Sequence, residues 1–538
     1  MEIGDFKHFA RRLREHLKSH GRELSHGESL DVVAAISGLR NWPEVVAFPH
    51  RVAASAIDAD SLARVANRIA EQYGICVALE PLKSALLTPL LKATAPAVKT
   101  EPIAAQDWRS VRLPTALQTR DLPGLYSAFA ELIGERHWTK RAQSIRGEIR
   151  GAKHLTQILT EENAIAFALA HCADVLARYG TLVGEVNNAS LYPTIRLAAQ
   201  TLAILDQSKG NKREIVGRIQ GALKNPADMR ALEFELGIAT HFARRATEMV
   251  FPELNGFATF DLLLPKLGAR GLEVECKSIS RNKGRRIDRR TAAEYFAALQ
   301  RSLEPFANSL KSGLAVVITT PSKPPSGRVE REALCAEIVG AVLAGQSISL
   351  EHGGDVRITD FDIKAYPALG PDMTEQARVS VDEITRTQNR EVMILGRKDR
   401  GAMVVVFQSA VEDTFLKSVF NVVDDAARRQ LSGIRPGIVV VGLEGMSPNQ
   451  LVATANQDQD LSQPATALRV AVSDFLRSES IPHLVAVAFA SSDEMERTNA
   501  ATMSSGGTAY YFPKRESSMW DEDFAGLFRS DRKPSPAL

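Results

Sequence analysis

The segment "LEVECKSI", residues 272–279, restricts the fold more than any other part of this chain. Side chains alternate along an extended strand. Glu273, Glu275 and Lys277 therefore fall on one face, with Leu272, Val274 and Cys276 on the other. Two carboxylates and an ammonium must share one side of a strand whose opposite side is apolar. A helical pattern, "ADMRALEFELGIATHFARRATEMV", and a strand-like "FATFDLLLP" lie upstream, with "KLGARG" as the turn into the second strand. The cation-rich "RNKGRR" and "DRR" follow, so the predicted order is helix, hairpin and basic run.

Hard divalent cations prefer carboxylate oxygens, and phosphate-ester hydrolysis needs charge neutralised at the attacking and leaving oxygens. Asp261 on the first strand and Glu275 on the second supply such oxygens, while Lys277 is placed to orient water or to stabilise charge on phosphorus. Asp261, a hairpin and then Glu275-x-Lys277 resembles the signature of the PD-(D/E)xK, or restriction-endonuclease-like, nuclease superfamily. That resemblance covers about residues 226–345. It implies a helix and mixed-sheet core, Asp261 and Glu275 as ligands of Mg2+ (or Mn2+), and Lys277 as the catalytic lysine. The superfamily also often carries a glutamate on the helix before the hairpin. Of the two candidates, Glu235 falls on the apolar arc with Ile238 and Phe242 and is expected as a further catalytic metal ligand. Glu233 shares the polar side with Arg230 and Arg244 and is expected to be a solvated ion-pair partner. Phe260 stands where the family often has proline.

In "SRNKGRRIDRR", Arg281, Lys283, Arg285, Arg286, Arg289 and Arg290 place six cations within ten residues, a candidate grip on phosphates beside the metal. Over the whole chain the formal charge is only +2, so any basic surface has to be local. The expected function is thus a magnesium-dependent nuclease acting on nucleic acid, with DNA the first choice and a role in bacterial defence or mobile elements suggested by analogy. The alternative is a catalytically inactive nuclease fold that binds nucleic acid or acts as a scaffold. A third reading is an interaction protein in which Glu275-x-Lys277 is incidental.

At 538 residues the chain is too long for one core, and roughly three or four domains are expected. The predicted class is multidomain α and α/β. Residues 1–92 form a small helical module, 93–112 an Ala/Pro/Thr-rich linker, 113–225 a helical bundle and 226–345 the nuclease-like domain. Residues 346–528 form an α/β domain and 529–538 a disordered tail. The segment with Ser25, His26, Glu28, Ser29, Leu30, Leu39 and Trp42 is similar to a helical module at the N-terminus of some glyoxalase-related proteins, with His26 read as a cap, Trp42 as a core aromatic, and the module as a docking point for a protein partner.

Cys76, Cys172, Cys276 and Cys335 have no paired spacing, which argues against disulfides and zinc and for a reducing cytoplasm. The apolar runs are too short to span a bilayer, so no membrane partner is expected. "GLEGMSPNQ" lacks the lysine of a phosphate loop, so no nucleotide site is expected either. A homo-oligomer is left open.

Overall fold

The computed structural model describes residues 3–87 and 110–529, apart from 20, 21, 23, 48–51, 53–56, 76, 208–211, 246, 255–257, 371–373, 388, 389, 398, 399, 500 and 501. The chain divides into two compact units, residues 1–106 and 107–538. Most of the proposed linker and nearly all of the proposed tail lie outside the described residues. The linker's last residues do not: Val111 is buried, and its N–H donates to Met249 O at 2.8 Å.

The first unit is helical: α1 (Ile3–Ser19), α2 (His26–Val33), α3 (Trp42–Ala47), α4 (Ala59–Tyr73) and α5 (Leu79–Leu87) enclose a core that includes Phe6, Leu13, Val33, Ile36 and Val65. The cap of α2 is Ser25 rather than His26. Ser25 Oγ accepts from the Glu28 N–H at 3.2 Å, and Glu28 Oε2 accepts from the Ser25 N–H at 2.7 Å, a reciprocal box that satisfies two end donors. Trp42 is half-buried against the core, as expected of a core aromatic, and its N–H donates to Asp31 Oδ1.

The second unit begins with the short β1 (Leu117–Gln118). A bundle follows, made of α6 (Leu122–Ile133), α7 (Arg136–Gly151), α8 (Thr156–Glu162), α9 (Ala164–Tyr179), α10 (Tyr192–Gln207), α11 (Lys212–Ala222) and α12 (Pro226–Arg244). The hairpin is β2 (Leu262–Leu264) and β3 (Leu272–Ile279). Next come α13 (Arg289–Ser309), β4 (Gly313–Thr320), α14 (Arg328–Ala344), β5 (Ile348–Ser349), β6 (Asp355–Phe361), α15 (Glu375–Thr385), β7 (Arg390–Arg397) and β8 (Gly401–Ser409). The chain ends with α16 (Phe415–Arg429), β9 (Gly437–Leu443), α17 (Pro448–Gln459), α18 (Ala467–Leu476), β10 (Leu484–Asn499) and β11 (Thr502–Pro513).

These strands form two mixed sheets, ordered β1-β11-β10-β9-β3-β2 and β5-β6-β4-β8-β7. The boundary drawn at residue 345 does not separate them. β4, expected to continue the sheet of the hairpin, pairs with β6 and β8 in the second sheet. The continuous apolar strand β9, expected in a separate C-terminal layer, instead lies parallel to β3, with Glu275 opposite Val439 and Lys277 opposite Val441. Residues 289–409 are therefore an α/β insertion between β3 and α16. Strands buried on both faces read as uninterrupted apolar runs whichever sheet they join, which is why sequence order misassigned them.

The first sheet is covered on both faces. Leu272, Val274 and Cys276 pack with the bundle, against Leu232, Leu236 and Ala239 of α12. Ile279, Val439 and Val441 pack beneath α16, α17 and α18. α12 comes close to the sheet because β9 carries glycine: a Cβ on Gly442 would sit 2.6 Å from the Phe234 ring. No described helix is long and apolar enough to cross a membrane.

Candidate metal centre

The centre is built at the edge of the first sheet. Asn225 caps α12, its side chain accepting from the Ala227 N–H at 3.1 Å, and Pro226 fixes the first turn. The register this sets turns Glu235 inward with Leu232, Leu236 and Ala239, leaving it 2% exposed. β2 pairs only with Leu272–Val274, so β3 runs on without a strand partner on that side. The amide of Cys276 would otherwise be an orphan buried donor. Asp261, one residue before β2, takes it: Oδ2 accepts from the Cys276 N–H at 2.7 Å. This bond satisfies the strand edge and fixes Asp261 beside Glu275.

Four carboxylates and two cations gather here. Glu235, Asp261 and Glu253 each offer an oxygen, all within 4.8 Å of one another. Glu253 is held by its neighbours: Val250 bridges Leu263 of β2 through two backbone bonds, and Phe251 and Leu254 are buried. Arg218, on α11, places Nη2 2.6 Å from Glu235 Oε2 and Nη1 3.1 Å from Glu253 Oε2. Glu275 Oε1 lies 2.6 Å from Lys277 Nζ, both on one face of β3 as strand alternation requires.

The electrostatics show a shortage of positive charge. Burial pushes Glu275 up to about 8, with Asp261 raising it further and Lys277 opposing. Burial likewise pushes Asp261 up to about 6, against the pull of the Cys276 amide. Glu235 is raised by burial and then by Asp261, with Arg218 opposing. Glu235 Oε1 and Glu275 Oε2 are both buried without a hydrogen-bond partner. Two cations facing four carboxylates leave a deficit that one divalent ion would balance, and an all-oxygen donor set suits Mg2+ or Mn2+. Glu253, being exposed, leaves the cluster open on one side.

The structure therefore brings together Glu235, Asp261, Glu275 and Lys277. The tight oxygen trio, however, uses Glu253 where sequence pointed to Glu275, which is turned toward Lys277. Sequence reading missed both Glu253 and Arg218. The signal for Glu253 is "FPEL", a carboxylate flanked by apolar anchors just before the hairpin; "REIVGRIQ" carries none for Arg218 beyond its helical pattern.

One further expectation needs correction. Glu233 is half-buried rather than freely solvated, and burial pushes it up to about 7 despite Arg196 and Arg230 nearby. Glu273 shares the face of Glu275 but faces the loop after α16, where the Ser432 N–H and Oγ donate to it at 2.8 and 2.5 Å.

Half of the basic run, Arg285, Arg289 and Arg290, is paired with carboxylates inside the fold. Arg289 pairs with Glu161, and Arg290 with Glu148 and Glu162, joining the bundle to the start of α13. Arg285 lies 3.7 Å from Glu391 of the insertion; the backbone amide of Arg286 donates to Asp413 at 2.9 Å, while its Nε is buried without a hydrogen-bond partner. Arg281 is half-buried, its amide donating to Glu444. Lys283 is exposed.

Residues 1–73 match the sequence profile of a family described as glyoxalase superfamily protein, in line with the resemblance of the N-terminal helices. That match ends well before the metal centre. No curated protein and no solved structure matches the chain.

Proposed function

We propose that this chain is a metal-dependent phosphodiesterase that hydrolyses nucleic acid, with DNA as the first substrate to test. One observation carries the reading: three carboxylates converge within 4.8 Å, and a lysine-paired glutamate, Glu275, lies on the hairpin that Asp261 opens. The order α12, β2, β3, α16 and parallel β9 supports a restriction-endonuclease-like core once the insertion is set aside.

In this reading Glu235, Asp261 and Glu253 would hold Mg2+ or Mn2+, with Glu275 at its border. The ion would neutralise the scissile phosphate and acidify bound water. Lys277, anchored by Glu275, sits where an ammonium can orient the attacking water or stabilise negative charge on the phosphoryl oxygens. Arg218 holds Glu235 and Glu253 in place and keeps the cluster from repelling itself.

The test is purified protein with plasmid DNA, and separately with RNA, in Mg2+ or Mn2+. Wild type should cleave, chelator should abolish cleavage, and Asp261→Asn and Lys277→Met should each reduce it by about 10²-fold or more. Equal cleavage by all three proteins would remove the assignment.

Arg218 also favours a second reading. A guanidinium bridging two of the three trio carboxylates resembles the counter-ion of a structural cluster, which would make this a nuclease-like scaffold that binds without turnover. Failure of the wild type to bind Mn2+ in calorimetry would favour that reading.

A further inference from the structure

A second feature lies between α7 and the turn of the α11–α12 hairpin that carries Arg218 and Glu235. Arg136, His137, Lys140 and Arg141 from the start of α7 and Lys224 from the turn between α11 and α12 line a cleft of about 420 Å³. No carboxylate is among these lining residues. Arg136, Lys140 and Lys224 are exposed and form no ion pair among the described residues. Arg141 is half-buried and fixed, its Nε donating to Asn163 Oδ1 at 2.9 Å. The nearest upstream carboxylate, Glu135, is engaged elsewhere, accepting from Tyr126 O–H at 2.8 Å.

The cleft is held rigidly. Trp138, fully buried, stacks on Phe129 at 5.8 Å and meets the Tyr126 ring edge-on at 6.2 Å, fixing the rotation of α7. Gln220 of α11 donates to Ile133 O at the end of α6 at 2.9 Å, tying α11 to the turn that leads into α7. After burial, the neighbours that lower the His137 pKa are Arg136, Lys224 and Lys140, so the cations act on a common point.

A concentration of unpaired cations in a preformed cleft matches a polyanion, and its place fits one substrate. Lys224 is six residues beyond Arg218, about 9 Å at 1.5 Å per helical residue, and Glu235 lies about 14 Å from the same turn by the same measure. At about 3.4 Å of rise per base pair, that offset corresponds to roughly three or four base pairs. We propose that this cleft grips the phosphate backbone of duplex DNA a few base pairs from the acidic centre, supplying a contact that Arg285, Arg289 and Arg290, paired with carboxylates inside the fold, do not. The inference rests on the nuclease reading for its substrate but concerns a different surface.

The test is fluorescence anisotropy with a labelled 20-base-pair duplex in EDTA, across a salt series. Variants are Arg136→Gln/Lys140→Gln/Lys224→Gln and, as a control for loss of surface charge, Arg150→Gln/Lys153→Gln. Each lost phosphate contact lowers the salt slope by about 0.9, so the triple variant should be shallower by about 2 to 3, with affinity at 0.1 M salt down about tenfold or more. The control pair should bind like wild type, and circular dichroism should show all proteins folded. An unchanged slope and affinity in the triple variant, or an equal loss in the control, overturns the proposal. The two readings fail separately. Wild type that binds through the cleft but never cleaves in Mg2+ or Mn2+ removes the nuclease reading alone, whereas cleavage with an unaltered salt slope in the triple variant removes the cleft alone.

Discussion

If the acidic centre lacks positive charge, the metal-free protein should lose stability as pH rises, and Glu275→Gln should remove part of that loss. Glu275 titrates at about 8 when folded, against an ordinary 4.5. Between those values the folded chain holds a proton that the unfolded chain has released, so stability is greatest at low pH and falls as pH rises. The slope is about 1.36 kcal/mol per pH unit for one proton. From pH 6 to 7.5 this amounts to about 2 kcal/mol. Asp261, raised only to about 6, contributes the same sign mainly below that window, and Glu233, at about 7, and Glu235 contribute it within the window, so the difference between wild type and Glu275→Gln, not the range, isolates Glu275. Glutamine keeps an oxygen for Lys277 and cannot titrate. Denaturant unfolding of wild type and Glu275→Gln in EDTA at pH 6 and 7.5 should show a gap, with the variant gaining relative to wild type, that widens by about 2 kcal/mol between the two pH values. Saturating Mn2+ should flatten the wild-type dependence, because an ion that binds the carboxylates stabilises their charged forms. Parallel curves would show that Glu275 is ionised in the fold and that no charge deficit exists.

Three other perturbations bear on the same architecture. Arg218→Met strands buried Glu235 without its partner and should cost about 3–5 kcal/mol, most of it recovered in the Arg218→Met/Glu235→Gln double variant; a double variant no better than the single one would break the link. Glu253→Gln should weaken Mn2+ binding by calorimetry more than the roughly 10- to 100-fold typical of an outer-shell change, whereas Glu273→Gln, whose group is committed to Ser432, should leave it unchanged. Arg289→Gln/Arg290→Gln should lower the thermal midpoint of the second unit but leave the salt slope of DNA binding intact, since both side chains are paired with bundle glutamates; a slope reduced by about 2 would return the run to the substrate.

The local parts of the centre were legible because short-range rules govern them. Strand alternation puts Glu275 and Lys277 on one face and they pair at 2.6 Å; helical periodicity turns Glu235 inward and it is buried. What sequence could not supply is decided by long-range topology. Glu253 becomes part of the trio only because Val250 bridges β2, and Arg218 only because α11 folds back along α12. The same limit explains the basic run. Six cations in ten residues read as a single phosphate grip, but three of them, Arg285, Arg289 and Arg290, pair with Glu391, Glu161, Glu148 and Glu162, which lie more than a hundred residues away.

The insertion follows a similar logic. Residues 289–409 leave the first sheet at the end of β3, and the chain returns through α16 to lay β9 parallel beside β3. Gly284 lets the departing and returning segments touch: its φ of +70° suits glycine, and a Cβ there would lie 2.8 Å from Thr414 O. The Thr414 N–H donates to Gly284 O at 2.9 Å across the same contact. A 121-residue excursion is thereby closed at its base, so β3 and β9 can pair as though it were absent. Any substitution that props this base open should act on Lys277 and Glu275 through β3, at a distance, without touching either. Gly284→Ala tests that transmission: Mn2+ affinity should fall along with stability, while a loss of stability alone would mean that the insertion and the metal centre are mechanically independent.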